Sequence, residues 1–198
     1  LRYRDLSDHI DKLAVLSGIT REEREEIIRC VAALDGLVPR DQWYDFLQVS
    51  FPTFAWYLDG FSTGNEFVDG YFQDYRSCRV KDKTSDGLAE RIHTWSVDQV
   101  LWDFTPRAAA IEAIRQGGVR VIWVDGMGVE WAGLVHSFIT SHSGTSCDVS
   151  VVRAQLPTTT DANNEWVESE MPERAIDDAA HHYGYAYPRS FLDQFEAV

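Results

Sequence analysis

The chain has 198 residues with 44% hydrophobic content, which is ordinary for a globular protein of one or two domains. Its 18 basic and 32 acidic residues give a formal net charge of -14, which repels phosphate backbones and disfavours general nucleic-acid binding. No apolar run is long enough to span a bilayer, and the start has no signal-peptide pattern, so we expect a cytoplasmic protein without membrane attachment. The widely spaced Cys30, Cys78 and Cys147 predict reduced thiols.

The first part of the chain has a helical pattern. Apolar residues recur at helical spacing over residues 6–16. Thr20 and Glu23 have the spacing of a capping box that starts a second helix. Gly18 and Gly36 are typical of helix ends.

Two further helical segments are predicted before a polar stretch. One runs from Asp41 through Leu58 with a break at Pro52, and the next covers residues 65–80. The aromatic residues in these segments recur at helical spacing, which favours a role in the core over a binding surface. Residues 81–90, KDKTSDGLAE, predict a loop or linker. We therefore expect an α-helical N-terminal region over residues 1–104.

Residues 105–198 have a different rhythm, which predicts an α/β domain. Thr105 and Pro106 supply an N-cap and an N1 proline for a helix, and the apolar run at residues 119–124 predicts a buried parallel strand. A helix over residues 131–139 and a second strand over residues 148–153 follow. The order helix, strand, helix, strand predicts a sheet with crossover helices.

Asp125 ends the first predicted strand, within the sequence VRVIWVDGMG. Gly126 and Gly128 allow the backbone to turn tightly and to approach a ligand. A carboxylate fixed at the carboxyl end of a strand suits a divalent metal ion. The alternative is an aspartate that caps the next helix.

The threonine-rich sequence LPTTTDAN, residues 156–163, follows the second predicted strand. Free N–H groups and the dipole at a helix N-terminus favour a phosphate or a developing negative charge. A metal-bound threonine alkoxide at this position could attack phosphorus. The alternative is an ordinary threonine N-cap.

A third candidate is AIDDAAHHYG, residues 175–184. Asp177 and His181 are four residues apart, as are Asp178 and His182. On a helix, this spacing places a carboxylate and an imidazole on one face, where both can bind one metal ion. The alternative is a solvated helical face with an acidic N-terminal end.

Together, VIWVDGMGVEW, VVRAQLPTTTDANNEW and DDAAHHYGYAYP resemble the PglZ family, a branch of the alkaline phosphatase superfamily found in type 3 BREX phage-defence systems of bacteria and archaea. The resemblance covers roughly residues 118–190. It implies a zinc-dependent phosphatase or phosphodiesterase with part of an alkaline-phosphatase-like sheet over residues 105–198. It also implies a phosphoester substrate and other phage-defence proteins as partners.

The resemblance further implies roles for individual residues. Asp125 is the expected metal ligand, and Thr160 is the expected nucleophile and metal ligand, with Thr158 as the second choice of nucleophile. A second metal ion is assigned to Asp177 and His181, with the pair one residue later as the shifted alternative.

The sequence also departs from the superfamily pattern. The superfamily completes its metal site with an Asp-His-Gly element, which does not occur in these 198 residues. We therefore expect a truncated fragment with an incomplete metal shell and weak or no catalysis. The competing hypothesis is a non-catalytic scaffold or a phosphate-binding module that binds partner defence proteins.

Overall fold

The computed structural model describes residues 3–94, 103–115, 127–144, 146–154 and 190–196, and these form helices joined by turns and irregular segments. The α-helices are α1 (Tyr3–Val15), α2 (Arg21–Leu34), α3 (Tyr44–Ser50), α4 (Pro52–Asp59), α5 (Glu66–Lys81), α6 (Asp86–Thr94), α7 (Arg107–Arg115), α8 (Ala132–Ser143) and α9 (Phe191–Glu196). Short 3₁₀ helices cover Arg40–Gln42 and Val129–Trp131. The chain divides into two compact units, the first of residues 1–94, 128–149 and 188–198 and the second of residues 95–127 and 150–187.

The predicted α/β domain with an alkaline-phosphatase-like sheet is wrong for the described part of residues 105–198, which is helical or irregular and contains no strand. The second predicted strand, residues 148–153, forms only one isolated parallel bridge, between Pro106 and Arg153. A strand requires a neighbouring ladder that pairs its backbone groups, and a single bridge does not provide one. The first predicted strand, residues 119–124, lies outside the described residues.

The turn between α1 and α2 confirms the local sequence predictions. Thr20 Oγ1 accepts a hydrogen bond from the Glu23 backbone N–H, and the Glu23 carboxylate accepts one from the Thr20 backbone N–H, each at 3.2 Å. Gly18 has a φ of +68°, and a Cβ built on it would lie 1.8 Å from the Ser50 carbonyl oxygen. Only glycine therefore allows this turn to pack against the end of α3.

The break at Pro52 is confirmed, because Pro52 is the first residue of α4.

The polar stretch after α5 is shorter than the sequence predicted. The prediction of a loop over residues 81–90 is wrong, since α6 already begins at Asp86. Ser85 Oγ accepts a hydrogen bond from the Leu88 N–H at 3.0 Å, so Ser85 caps the first turn of this helix.

The first unit has an aromatic and aliphatic core. Phe54 and Tyr57 of α4 are fully buried and contact Phe195 of α9, with ring centroids 5.5 Å apart in both pairs. Trp43 is 2% exposed, so the prediction that the aromatic residues of this region form core is confirmed at these positions. The other fully buried large side chains of this core are Leu13, Ile27, Leu34, Leu47, Leu134 and Val31.

Cys30 is buried, Cys78 and Cys147 are partly exposed, and all three are free thiols. In the ranges that the structure describes, no helix combines the length and the apolar content that crossing a bilayer requires.

Candidate functional site

The residues predicted to carry phosphoryl chemistry lie outside the described parts of the chain. They are Asp125, Thr158, Thr160, Asp177 and His181, together with the alternatives Asp178 and His182. Their assignments as metal ligands and nucleophile therefore stay predictions. Among the described residues, no group of three or more His, Cys, Asp or Glu side chains is arranged to hold a metal ion.

The segment that follows the Asp125 motif is described from Met127 onward and confirms the helix predicted there. Gly128 precedes the 3₁₀ helix Val129–Trp131, which leads into α8. A Cβ built on Gly133 of α8 would lie 2.1 Å from the Gly60 carbonyl oxygen, so α8 packs directly on the turn after α4. The first helical turns after the motif are thus fixed in the core of the first unit.

The first unit contains a cavity of 630 Å³, within the range of about 300–1,000 Å³ that ligand pockets occupy. Its wall is formed by the turn after α2, the 3₁₀ helix Arg40–Gln42, the end of α4 with the loop that follows, and α5. We call it the Arg76 cavity, after the most buried charged side chain in its wall. Val38, Leu58 and Phe61 supply apolar surface beside it.

Carboxylates line the Arg76 cavity, and each has partners. Three of them form ion pairs, Asp35 with Lys81 at 2.9 Å, Asp59 with Arg40 at 2.8 Å and Asp74 with Arg91 at 2.7 Å. A fourth is held by hydrogen bonds, which Asp69 accepts from Ser62 Oγ, Thr63 N and Thr63 Oγ1, all at 2.7 Å. Desolvation raises the pKa of Asp69, but these hydrogen bonds and the positive charge of Arg76 together outweigh it, so its pKa lies below the ordinary value.

Arg76 differs from the other charged side chains of this wall. It is 7% exposed, its Nε has no hydrogen-bond partner, and no ion pair holds its guanidinium among the described residues. Burial lowers the pKa of Arg76, but an arginine remains protonated at neutral pH. The Glu130 and Asp69 carboxylates attract the guanidinium through space, but neither makes a hydrogen bond or an ion pair with it. The cost of burying this cation is therefore only partly offset, and its presence calls for an explanation.

The position of the guanidinium depends on a glycine. Gly60 has a φ of +67°, and a Cβ built on it would lie 2.2 Å from Arg76 Nη2. The guanidinium therefore lies directly against the Gly60 backbone. Nearby, the Tyr57 hydroxyl is buried without a hydrogen-bond partner, and burial raises its pKa above the ordinary value.

Arg76 was not predicted from the sequence, although the sequence carries a signal for it. Val68, Phe72, Arg76 and Val80 follow one another at intervals of four residues along α5. Val68 and Val80 are buried at 4% and 5% exposure, so Arg76 occupies a position in an apolar stripe. A charged residue at such a position is the informative exception.

No protein-family model matches this chain, and no curated protein or solved structure matches it. The functional proposal therefore depends on the residues of the chain and their chemistry.

Proposed function

We propose that this chain is part of a metal-dependent phosphatase or phosphodiesterase of the PglZ kind, acting in a phage-defence system. The observation that carries the proposal is the occurrence of three motifs in one chain: the aspartate of VDGMG, the threonines of LPTTT and the carboxylate–histidine pairs of DDAAHH. The proposal depends on the chemistry of these side chains and not on the sheet that the sequence predicted.

The residues assigned to the site are of the types that zinc chemistry needs. Asp125, Thr160, Asp177 and His181 supply oxygen and nitrogen atoms, which zinc accepts as ligands. A bound divalent ion lowers the pKa of a coordinated hydroxyl and stabilises charge on a phosphoryl oxygen. In this assignment Thr160 is the nucleophile, and Thr158 is the second choice.

The proposed substrate is a phosphoester, and the net negative charge of the chain limits which kinds of phosphoester it can bind. A net charge of -14 repels an extended phosphate backbone. Binding of a single phosphoester at a metal ion does not depend on the charge of the wider surface, because the ion supplies the local positive potential. The resemblance adds other phage-defence proteins as partners.

Zinc uptake and phosphodiester hydrolysis test this proposal. Calorimetric titration of the whole protein that contains this chain with zinc, and with manganese as the second ion, is expected to show uptake that falls at least about tenfold in Asp125→Ala and in Asp177→Ala, because each removes one ligand. Hydrolysis of bis(p-nitrophenyl) phosphate by the metal-loaded whole protein that contains this chain is expected to be lost in Thr160→Ala and kept in Thr159→Ala. Thr159→Ala is the matched control, since it removes the neighbouring hydroxyl. Absence of zinc uptake, or equal uptake by all variants, would contradict the assignment.

A second candidate function is a non-catalytic scaffold that binds partner defence proteins. It is favoured by the acidic surface of α1, which exposes Asp5, Asp8 and Asp11 at intervals of three residues. Such a surface attracts basic partners, and the attraction weakens as salt increases. Salt-sensitive partner capture that is lost when the three aspartates become asparagine, without zinc uptake by the full chain, would favour the scaffold over the hydrolase.

A further inference from the structure

We propose that the Arg76 cavity binds a small organic oxyanion, with a phosphoryl or carboxylate group paired to the Arg76 guanidinium. The cavity lies in the first unit and uses none of the residues assigned to the metal site. The inference is therefore independent of the proposed hydrolase function. It makes this part of the chain a ligand-binding module.

The charges in the cavity wall are unequally paired. Six charged side chains line the cavity among the described residues, and five of them have ion-pair or hydrogen-bond partners. Arg76 is the one without such a partner. An anion that enters the cavity would supply the ion-pair partner that the buried guanidinium lacks. A cation would instead be repelled by the positive charge of Arg76.

The guanidinium group of Arg76 is suited to binding an oxyanion. Its planar N–H donors match the two oxygens of a carboxylate or phosphoryl group, and such charge-assisted hydrogen bonds are stronger than neutral ones. Gln73 lies one turn before Arg76 on α5 and lines the same cavity. Its amide can donate a further hydrogen bond.

The size and the apolar part of the wall define the rest of the ligand. A volume of 630 Å³ exceeds that of an inorganic phosphate ion. Val38, Leu58 and Phe61 lie on the wall and offer apolar surface to a body attached to the anionic group. The ligand class is therefore a small organic acid or phosphoryl compound.

Calorimetric titration of the full chain tests this inference with three probes at constant ionic strength: inorganic phosphate, phenylphosphonate and benzoate. We expect phenylphosphonate to bind more tightly than phosphate because the ring buries apolar surface. The relative affinity of benzoate then separates a carboxylate site from a phosphoryl site. Arg76→Gln is expected to weaken binding about tenfold or more.

Two further variants make the test specific. Arg29→Gln is the matched control, because Arg29 is an exposed arginine of α2 paired with Glu26, and it should leave the affinity unchanged. Arg76→Met replaces the unpaired cation by an apolar side chain and should fold with an equal or higher thermal midpoint while losing the probes. Failure of all three probes to bind, equal binding by the Arg76 variants, or loss of the fold in Arg76→Met would each overturn the inference.

Discussion

The two faces of α4 show how one helix serves two purposes. Phe54 and Tyr57 face the aromatic core, where Phe54 lies 5.6 Å from Phe51 between ring centroids. Leu58 and Asp59, at the end of the same helix, face the Arg76 cavity. The core contains tightly packed rings, whereas the cavity contains ion pairs and an unpaired guanidinium. Packing on one face supplies stability, and the other face borders a cavity into whose wall α5 places Arg76, a group that is costly without a ligand.

The largest expected effect is in the core. Phe54→Ala removes a fully buried ring that contacts Phe51 and Phe195. We expect the free energy of unfolding to fall by about 3–5 kcal/mol, as for other buried Phe→Ala substitutions. Urea denaturation followed by circular dichroism measures this. A fall below about 1 kcal/mol would show that the aromatic cluster does not dominate stability.

The second prediction compares two glycines with positive φ. The φ values of Gly60 and Gly64 are +67° and +79°, so an alanine at either position has a strained backbone. A Cβ at Gly60 would lie 2.2 Å from Arg76 Nη2, whereas a Cβ at Gly64 meets nothing within 4 Å. Both should lose about 1–3 kcal/mol from that strain. Only Gly60→Ala should also weaken phenylphosphonate binding, because its Cβ would displace the Arg76 guanidinium. Equal affinity in the two variants would argue against the placement of Arg76 over Gly60.

The third prediction concerns pH and the carboxylate held by Ser62 and Thr63. The folded-state pKa of Asp69 lies below the unfolded value of about 3.9, so the ionised group stabilises the fold above that value. This contribution is lost as the pH falls through the folded pKa. Asp69→Asn should therefore flatten the decrease in thermal midpoint below about pH 4. An unchanged acid limb would exclude Asp69 as a contributor.

The smallest effect is expected at an exposed ion pair in the wall of the cavity. Arg40 and Asp59 form an ion pair at 2.8 Å, but both side chains are 44% exposed. Solvent screens such a pair, so Arg40→Gln should change the free energy of unfolding by about 1 kcal/mol or less. Chemical denaturation at low and at high salt checks this. A larger loss would mean that the pair supports the cavity wall itself.

Local signals in the sequence predicted much of the helical structure. The Thr20–Glu23 capping box and the break at Pro52 depend on neighbouring residues alone, and both are confirmed. The prediction of a strand over residues 148–153 was wrong, because a strand needs a pairing partner from elsewhere in the chain and this segment forms only one isolated bridge. Phe46, at 40% exposure, is an aromatic residue that the core prediction misplaced.

The candidate sites were harder to predict from the sequence than the helices were. Arg76 is explained by contacts that are distant along the chain, since Gly60 lies 16 residues before it. Its own sequence context shows only a charge in an apolar stripe. The motifs around Asp125 and Thr160 are predicted from residue types and their order alone, and both residues lie outside the described parts of the chain.

The thermal midpoint of Arg76→Met without ligand tests most directly whether the cavity face is built for binding and the core for stability. We expect a midpoint equal to or above that of the unsubstituted protein, because the substitution removes a buried cation that has no ion-pair partner. A decrease comparable to that of Phe54→Ala would contradict it, since Arg76 would then stabilise the fold as a core residue does.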